Sequence, residues 1–253
     1  MKVLEMIFSP TEGTKKAAQA IVKGLGKEAQ FVDLTDVSAD FEAVEISEED
    51  ICVIAVPSYS GRVPKTAAER LLQIKGNQAK AVLVVVYGNR EFDDTLVELQ
   101  DLAVEAAFMP VAAISAIAEH SIVRKFAAGR PDAEDCKELE QFGIKILDAI
   151  ENQKTTSLSL PGNRPYKEVS GSLAKPMAND ACTKCGVCAA KCPVGAIPKD
   201  SPEQTNTENC ISCMRCISIC PNQARQLSPE LLTSLEQRLA PVCTERKVNK
   251  LYL

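Results

Sequence analysis

Residues 182–193 read CTKCGVCAAKCP, and residues 210–221 read CISCMRCISICP. Each run spaces its cysteines C-x2-C-x2-C-x3-C-P, and the second repeats the first at an offset of 28 residues. Eight of the eleven cysteines in this 253-residue chain are placed in this way: Cys182, Cys185, Cys188, Cys192, Cys210, Cys213, Cys216 and Cys220. Identical internal spacing marks an internal duplication. Soft thiolates select iron–sulfur clusters or zinc, and spacing decides between the two. Zinc takes paired C-x2-C units, which leaves the third cysteine of each run without a role. Disulfides suit an exported chain, whereas the opening MKVLEMIFS reads as a strand with no cleavage site. Buried structural thiols would not recur with this regularity. Three cysteines spaced by two residues can hold three corners of one [4Fe–4S] cube.

The pattern resembles that of the bacterial two-cluster ferredoxins. The resemblance implies crossed ligation. Cys182, Cys185, Cys188 and Cys220 would hold one cluster, and Cys210, Cys213, Cys216 and Cys192 the other. Small neighbours (Gly186, Ala189, Ala190, Gly195, Ala196) let backbone N–H groups approach the sulfurs. Ile197, Ile211, Ile217 and Ile219 offer an apolar shell. The chain carries −5 overall, divided as −8 over residues 1–169, +2 over 170–227 and +1 over 228–253. Lys184, Lys191, Arg215 and Arg225 either offset cluster charge or form an ordinary solvated face. Cys52 lies in an apolar run and reads as a core thiol. Cys136 and Cys243 have no partner pattern.

Upstream, strand and helix patterns alternate. Residues 2–8, 28–34, 51–56, 80–87 and 110–117 read as strands, and 51–56 (ICVIAV) has the continuous apolar character of a buried parallel strand. Residues 14–25 have helical apolar spacing, 64–74 open with Pro64 in a first turn, 93–107 have Asp93 or Asp94 as a cap, and 132–152 close the series. Such alternation predicts an α/β fold, a doubly wound parallel sheet.

Three loops follow the strands' carboxyl ends, where open α/β sheets bind ligands. Ser9-Pro10-Thr11-Glu12-Gly13-Thr14 is a hydroxyl-rich turn at a helix N-terminus, suited to an anion or to simple helix capping. Its spacing is not that of a Walker loop. Pro57-Ser58-Tyr59-Ser60-Gly61-Arg62 and Tyr87-Gly88-Asn89-Arg90-Glu91-Phe92-Asp93 each combine glycine with an aromatic residue.

Together these loops resemble flavodoxin, and over residues 1–227 the chain resembles a bacterial flavodoxin–ferredoxin fusion of the kind found in anaerobes. The resemblance implies a five-stranded sheet of order 2-1-3-4-5 that binds FMN, followed by a small ferredoxin domain with two [4Fe–4S] clusters. Ser9, Thr11, Gly13 and Thr14 would hold the phosphate, with Glu12 among them as a departure from the small residue usual there: a carboxylate beside a phosphate is unfavourable unless it points to solvent. Pro57, Ser58, Tyr59, Ser60, Gly61, Tyr87, Gly88, Asn89, Arg90, Phe92 and Asp93 would flank the isoalloxazine. With no Trp in the chain, Tyr59, Tyr87 and Phe92 are the rings available for stacking, Tyr59 and Tyr87 first, and each could equally take a surface or core role. Arg90 is either a charge near the flavin or a surface arginine. His120, the single histidine, is either a proton donor or a plain loop residue.

The expected division is residues 1–155 for the FMN domain, 156–174 for a linker, 175–227 for the ferredoxin domain and 228–253 for a helix and tail. The expected function is electron transfer between one-electron carriers and a two-electron flavin. The alternatives are an FMN-dependent oxidoreductase reducing a small organic acceptor, and a redox sensor. The expected partner is an external redox carrier, either ferredoxin-type or another oxidoreductase, and a homodimer is open. No G-x-G-x-x-G follows a strand, which disfavours direct NAD(P)H oxidation. No apolar run reaches membrane-spanning length, and no basic stripe with aromatics suggests nucleic acid. Oxidisable thiolate clusters fit a reducing cytoplasmic setting.

Overall fold

A computed structural model describes residues 1–154, 157–169, 171 and 174–253. The first half forms β1 (Val3–Ile7), α1 (Gly13–Leu25), β2 (Ala29–Asp33), β3 (Ile51–Pro57), α2 (Lys65–Leu71), β4 (Lys80–Tyr87), α3 (Thr95–Glu105), β5 (Met109–Ile117) and α4 (Ala133–Glu151). The second half contributes β6 (Met177–Ala178), α5 (Val187–Ala190), α6 (Arg215–Ser218), β7 (Arg225–Gln226), α7 (Pro229–Cys243) and β8 (Lys250–Tyr252). The main sheet has the order β2-β1-β3-β4-β5-β8, parallel throughout except for β8. This is the expected flavodoxin-like order with a sixth strand added. The tail, expected to carry only a helix, returns and pairs antiparallel with the edge strand β5 (Ala113 opposite Tyr252).

Buried parallel strands read as unbroken apolar runs because both faces are covered. Ile54 and Leu83 pack beneath α2 and α3, while Val53 and Val84 pack beneath α1 and α4. All four are fully buried, and each such side chain contributes roughly 1.5–3 kcal/mol. The pair α1 and α4 approach closely: a Cβ at Gly24 would stand 2.0 Å from the Glu140 carbonyl oxygen, and one at Gly143 would stand 2.2 Å from that of Ile21. Only glycine permits this backbone contact.

Two helix starts differ from expectation. Pro64 is the cap residue of α2, not part of its first turn. Asp94 stands at the cap position of α3 but makes no side-chain cap bond. Its carboxylate instead accepts from the N–H groups of Asn163 (2.8 Å) and Lys167 (2.7 Å). The segment 157–169 is thereby fastened along α3, helped by Arg164 on Asp101 (2.6 Å) and by Gln100 donating to the Leu158 carbonyl (3.2 Å). The expected boundary at 155–156 lies outside the described residues.

The tail is anchored by buried polar groups. Asn249 accepts from Ile117 N–H (2.9 Å) and donates to Glu138 (2.6 Å) and Asp135 (3.2 Å). Asp135 also pairs with the buried Arg130 through two hydrogen bonds, one of 2.8 Å. Burial favours the neutral carboxyl, but the Arg130 guanidinium, the Asp132 N–H and Asn249 outweigh it and hold Asp135 at about 2, against an ordinary 3.8. A depressed folded pKa contributes stability above the unfolded value, lost as pH falls through the folded one. The contribution is therefore complete above about pH 4 and vanishes toward about pH 2. Asp135→Asn is expected to cost about 2 kcal/mol at neutral pH and to flatten the acid dependence in that window. Thermal unfolding followed by circular dichroism reads both, and an unchanged midpoint contradicts the role given to the pair.

Candidate iron–sulfur centre and adjoining cleft

The duplicated cysteine runs fold as duplicated structures. In each run the second and third cysteines flank a residue in the left-handed region, Gly186 (φ 76°) in the first and Met214 (φ 61°) in the second, and a four-residue helix follows. Two more positive-φ positions match across the repeat: Lys184 with Ser212, and Gly195 with Gln223. These bends keep successive thiols on one side of the chain. Short strands β6 and β7 pair antiparallel and close the unit.

Two small pockets of similar size result, each partly open to solvent. The first is lined by Cys182, Cys185, Cys188 and Cys220, the second by Cys192, Cys210, Cys213 and Cys216. Each void thus takes three thiols from one run and the fourth from the other. Among the described residues, no three His, Cys, Asp or Glu side chains close on a point to hold a single metal ion. Four cysteines lining one pocket match the number of thiolates that a [4Fe–4S] cluster takes.

Backbone donors meet the sulfurs symmetrically. Ala196 N–H donates to Cys192 Sγ (3.3 Å), and Ala224 N–H donates to Cys220 Sγ (3.2 Å). Burial raises Cys213 and Cys216 to about 12. At Cys220 burial acts in the same direction but is outweighed by the N–H groups of Ala224, Asn222 and Arg225, and the thiol is lowered. Buried thiols of this kind become thiolates when metal coordination replaces the proton.

Four cationic residues were expected near the clusters. Arg225 is buried to 2 % exposure and lines the first void. It donates to the carbonyls of Pro202 and Gln204 (2.9 Å) and to Thr205 Oγ1 (2.6 Å), and its Nε has no partner. Arg215 lines the second void and reaches the carbonyls of Ser9 (3.4 Å) and Pro10 (3.5 Å), again with a buried Nε lacking a partner. Lys184 is drawn to Glu203 (3.1 Å), and Lys191 is exposed. Of the isoleucines, Ile197 packs with Cys188 and Cys216, whereas Ile211 packs against the main core and Ile217 against α7. Helix α7 touches both halves: Leu231 and Leu232 join Met214, and Leu239 joins Val123 and Phe126. Cys52 is a core thiol as expected, raised to about 12 by burial, and Cys243, the last residue of α7, is buried against Val123 and Phe126.

The Ser9–Thr14 loop faces a cleft of about 760 Å³, open to solvent. Thr11, Glu12, Gly13 and Lys16 line one side, Glu119, Ser121, Arg124 and Arg130 another, and Met214, Ile217 and Ser218 of the second cysteine run a third. The cap residue Glu12 gives α1 no side-chain bond, which leaves first-turn N–H groups available for an anion. Glu12 has φ 66°, and its side chain is 64 % exposed. Thr14 is buried, and Ser9 Oγ accepts from Lys15 N–H (3.0 Å).

The other two loops do not line this cleft. Residues 59–62 form a tight turn with Ser60 and Gly61 at positive φ, as a type I′ turn requires. Ser58 bonds Thr95 (2.7 Å), and Pro57 ends β3. Asp93 lies directly on Gly61 and pairs with Arg90 and with Lys167 (2.8 Å). Tyr87 and Phe92 pack edge to face in the core, the packing role left open for them in the sequence. Asn89 is likewise committed, donating to the carbonyls of Cys243 and Glu245 (2.7 Å each) to hold the tail. Gly88 abuts His120, whose Nδ1 accepts from Ile122 and Val123 N–H (3.2 and 3.1 Å). Burial first, then Arg90, lowers His120 to about 4, so it is neutral and braces its loop. Tyr59 alone among the three rings keeps exposed surface, while its phenol end is buried on the side of Cys213.

Sequence reading did not find Arg70, which donates to the carbonyls of Leu34 and Pro193 (2.6 Å each) and so ties α2 to the residue after Cys192. No local pattern marks an arginine whose partners are distant carbonyls.

Residues 177–221 match the family described as 4Fe-4S dicluster domain. No curated protein matches the chain. Among solved structures, a flavodoxin from the domain Archaea is 14% identical with a TM-score of 0.44, covering 60% of this chain and 99% of that one. A two-electron reduced flavodoxin of Megasphaera elsdenii is 17% identical with a TM-score of 0.41, covering 56% and 98%. The rubredoxin oxygen:oxidoreductase of the anaerobe Desulfovibrio gigas is 14% identical with a TM-score of 0.44, and the match spans 61% of this chain but only 37% of that one. By its own strand order and the family match, the chain joins a flavodoxin-like sheet to a 4Fe–4S dicluster domain. Among the described residues no helix is long and apolar enough to cross a membrane.

Proposed function

We propose that this chain is an electron-transfer iron–sulfur flavoprotein carrying two [4Fe–4S] clusters and one FMN. The observation that carries the reading is the pair of similar voids, each lined by four thiols of a crossed set, beside a cleft shared by the Ser9–Thr14 loop and the second cysteine run. Cys182, Cys185, Cys188 and Cys220 hold one cluster, and Cys192, Cys210, Cys213 and Cys216 the other. Ser9, Thr11, Gly13 and Thr14 take the phosphate, with the α1 N-terminus supplying donors. A nucleotide so held lies against Met214 and Ile217, within reach of the cluster segment. Clusters exchange single electrons, and a flavin takes one or two, so the assembly interconverts the two currencies. The chain's contribution is to hold these centres together and tune them by burial, N–H···S bonds and nearby charge. An external redox carrier supplies or removes the electrons. A second reading, reduction of a small organic acceptor, draws on the polar rim of Glu119, Ser121 and Arg124; turnover with added acceptors would favour it.

Protein purified without oxygen is expected to contain about eight iron, eight acid-labile sulfide and one FMN. Zinc without sulfide would refute the clusters. Ser9→Ala with Thr14→Val is expected to lower flavin content and leave iron unchanged. Equal flavin retention would refute the phosphate loop.

A further inference from the structure

We infer that the two clusters are not equivalent in position. The void of Cys192, Cys210, Cys213 and Cys216 is the inner centre, against the flavodoxin-like half, and that of Cys182, Cys185, Cys188 and Cys220 is the outer port for a redox partner. This deepens the electron-transfer reading and rests on it for the flow of electrons, but not for the placement of the clusters.

The contacts divide cleanly. Around the second void, Arg70 of α2 donates to the Pro193 carbonyl at 2.6 Å, directly after Cys192. Ile211 packs against the main hydrophobic core, as Tyr59 does. Arg215 reaches the Ser9 and Pro10 carbonyls of the phosphate loop, and Met214 lines both this void and the cleft. Around the first void, the lining residues turn to their own segment. Lys184 meets Glu203 (3.1 Å), Thr183 meets Asn222 (2.8 Å) and Cys188 meets the Pro202 carbonyl (3.6 Å). Arg225 is spent on residues 176–205. Cys185 is the one exposed cysteine of the chain, and Val187 beside it is 38 % exposed.

Because electron transfer slows steeply with distance, this arrangement fixes a sequence. A reduced ferredoxin-type carrier gives one electron to the outer cluster and is itself oxidised by one. The outer cluster reduces the inner by one, and no bond forms or breaks. Two such passages, with two protons from water, account for full reduction of one flavin.

The test uses the full chain, reduced under anaerobic conditions and read by electron paramagnetic resonance. Cys185→Ala and Cys213→Ala assign the two cluster signals by the loss of one each. In unmodified protein, a water-soluble nickel chelate is expected to relax the signal missing from Cys185→Ala more than the other. Arg70→Ala is expected to shift only the signal missing from Cys213→Ala. The reverse pattern in either arm, or equal response of both signals, overturns the assignment. Neither arm needs flavin. Protein without flavin absorbance would sink the flavoprotein reading while leaving the placement to be decided by these signals.

Discussion

In Cys192→Ala protein, the cluster expected to disappear is the one held by Cys210, Cys213 and Cys216, and the one beside Cys192 in sequence should survive. Cys192 lies only four residues beyond Cys188, yet the chain turns after α5 and points its sulfur into the void lined by the later run. The turn is stabilised by Ala196 N–H on the sulfur itself, a bond repeated by Ala224 on Cys220. Loss of one ligand of four exposes an iron corner, and iron content should fall from about eight toward about four if the cluster is lost, or only to about seven if its three other corners are kept. Cys220→Ala should give the mirror result, removing the cluster of Cys182, Cys185 and Cys188. Resonance spectra of the two reduced variants must therefore each show one signal, and different ones. If Cys192→Ala removed the cluster of Cys182, the crossed geometry would be wrong.

Replacing Arg225 should shift one cluster's potential and spare the other. Arg225 is 2 % exposed, has carbonyl and hydroxyl partners but no carboxylate, and borders the first void. The matching position in the first repeat is Ile197, buried beside Cys188 and Cys216, so the duplication is broken by a charge. Glu203 feels the Arg225 charge but is itself paired with Lys184, and a buried cation with no carboxylate hydrogen-bonded to it would gain from an anionic thiolate cluster beside it. Unit charges about 6 Å apart at an effective dielectric near 20 interact by roughly 3 kcal/mol. Arg225→Met is then expected to make the cluster of Cys182, Cys185, Cys188 and Cys220 more negative by on the order of 100 mV, since a one-electron couple changes tenfold per 59 mV. Arg225→Lys keeps the charge and loses the fork of hydrogen bonds, so it should cost stability with a smaller shift in potential. Potentiometric titration of both signals is the measurement. An equal shift in both clusters, or none, would contradict a local electrostatic role.

Much of this was legible before any coordinates. Unbroken apolar runs such as 51–56 and 80–87 announce strands covered on both faces, and the resemblance of the cysteine runs to two-cluster ferredoxins implied the crossed sets that line the two pockets. The misses share a cause. Strand β8 is three residues long and gains its place from pairing with β5 and from Asn249, contacts between positions more than a hundred residues apart. Asp94 looks like a cap because it precedes a helix, but the returning segment 163–167 competes for its oxygens and wins. Tyr87 and Phe92, at strand and loop ends, could be read as flavin-flanking or as core rings, and nothing local chooses between the two. Their burial depends on how the tail and Asp93 close over that corner, which no local pattern encodes.

The returning tail has a mechanical meaning. The chain leaves the sheet after α4, builds both cluster cavities, and comes back to the same sheet as β8. A module held by a single tether can swing out and search for its target, with an effective concentration set by tether length. One stitched down at entry and exit, and fixed again by Arg70 and α7, has little room to swing. On the proposed function, electrons would cross a standing junction and not wait for two halves to meet.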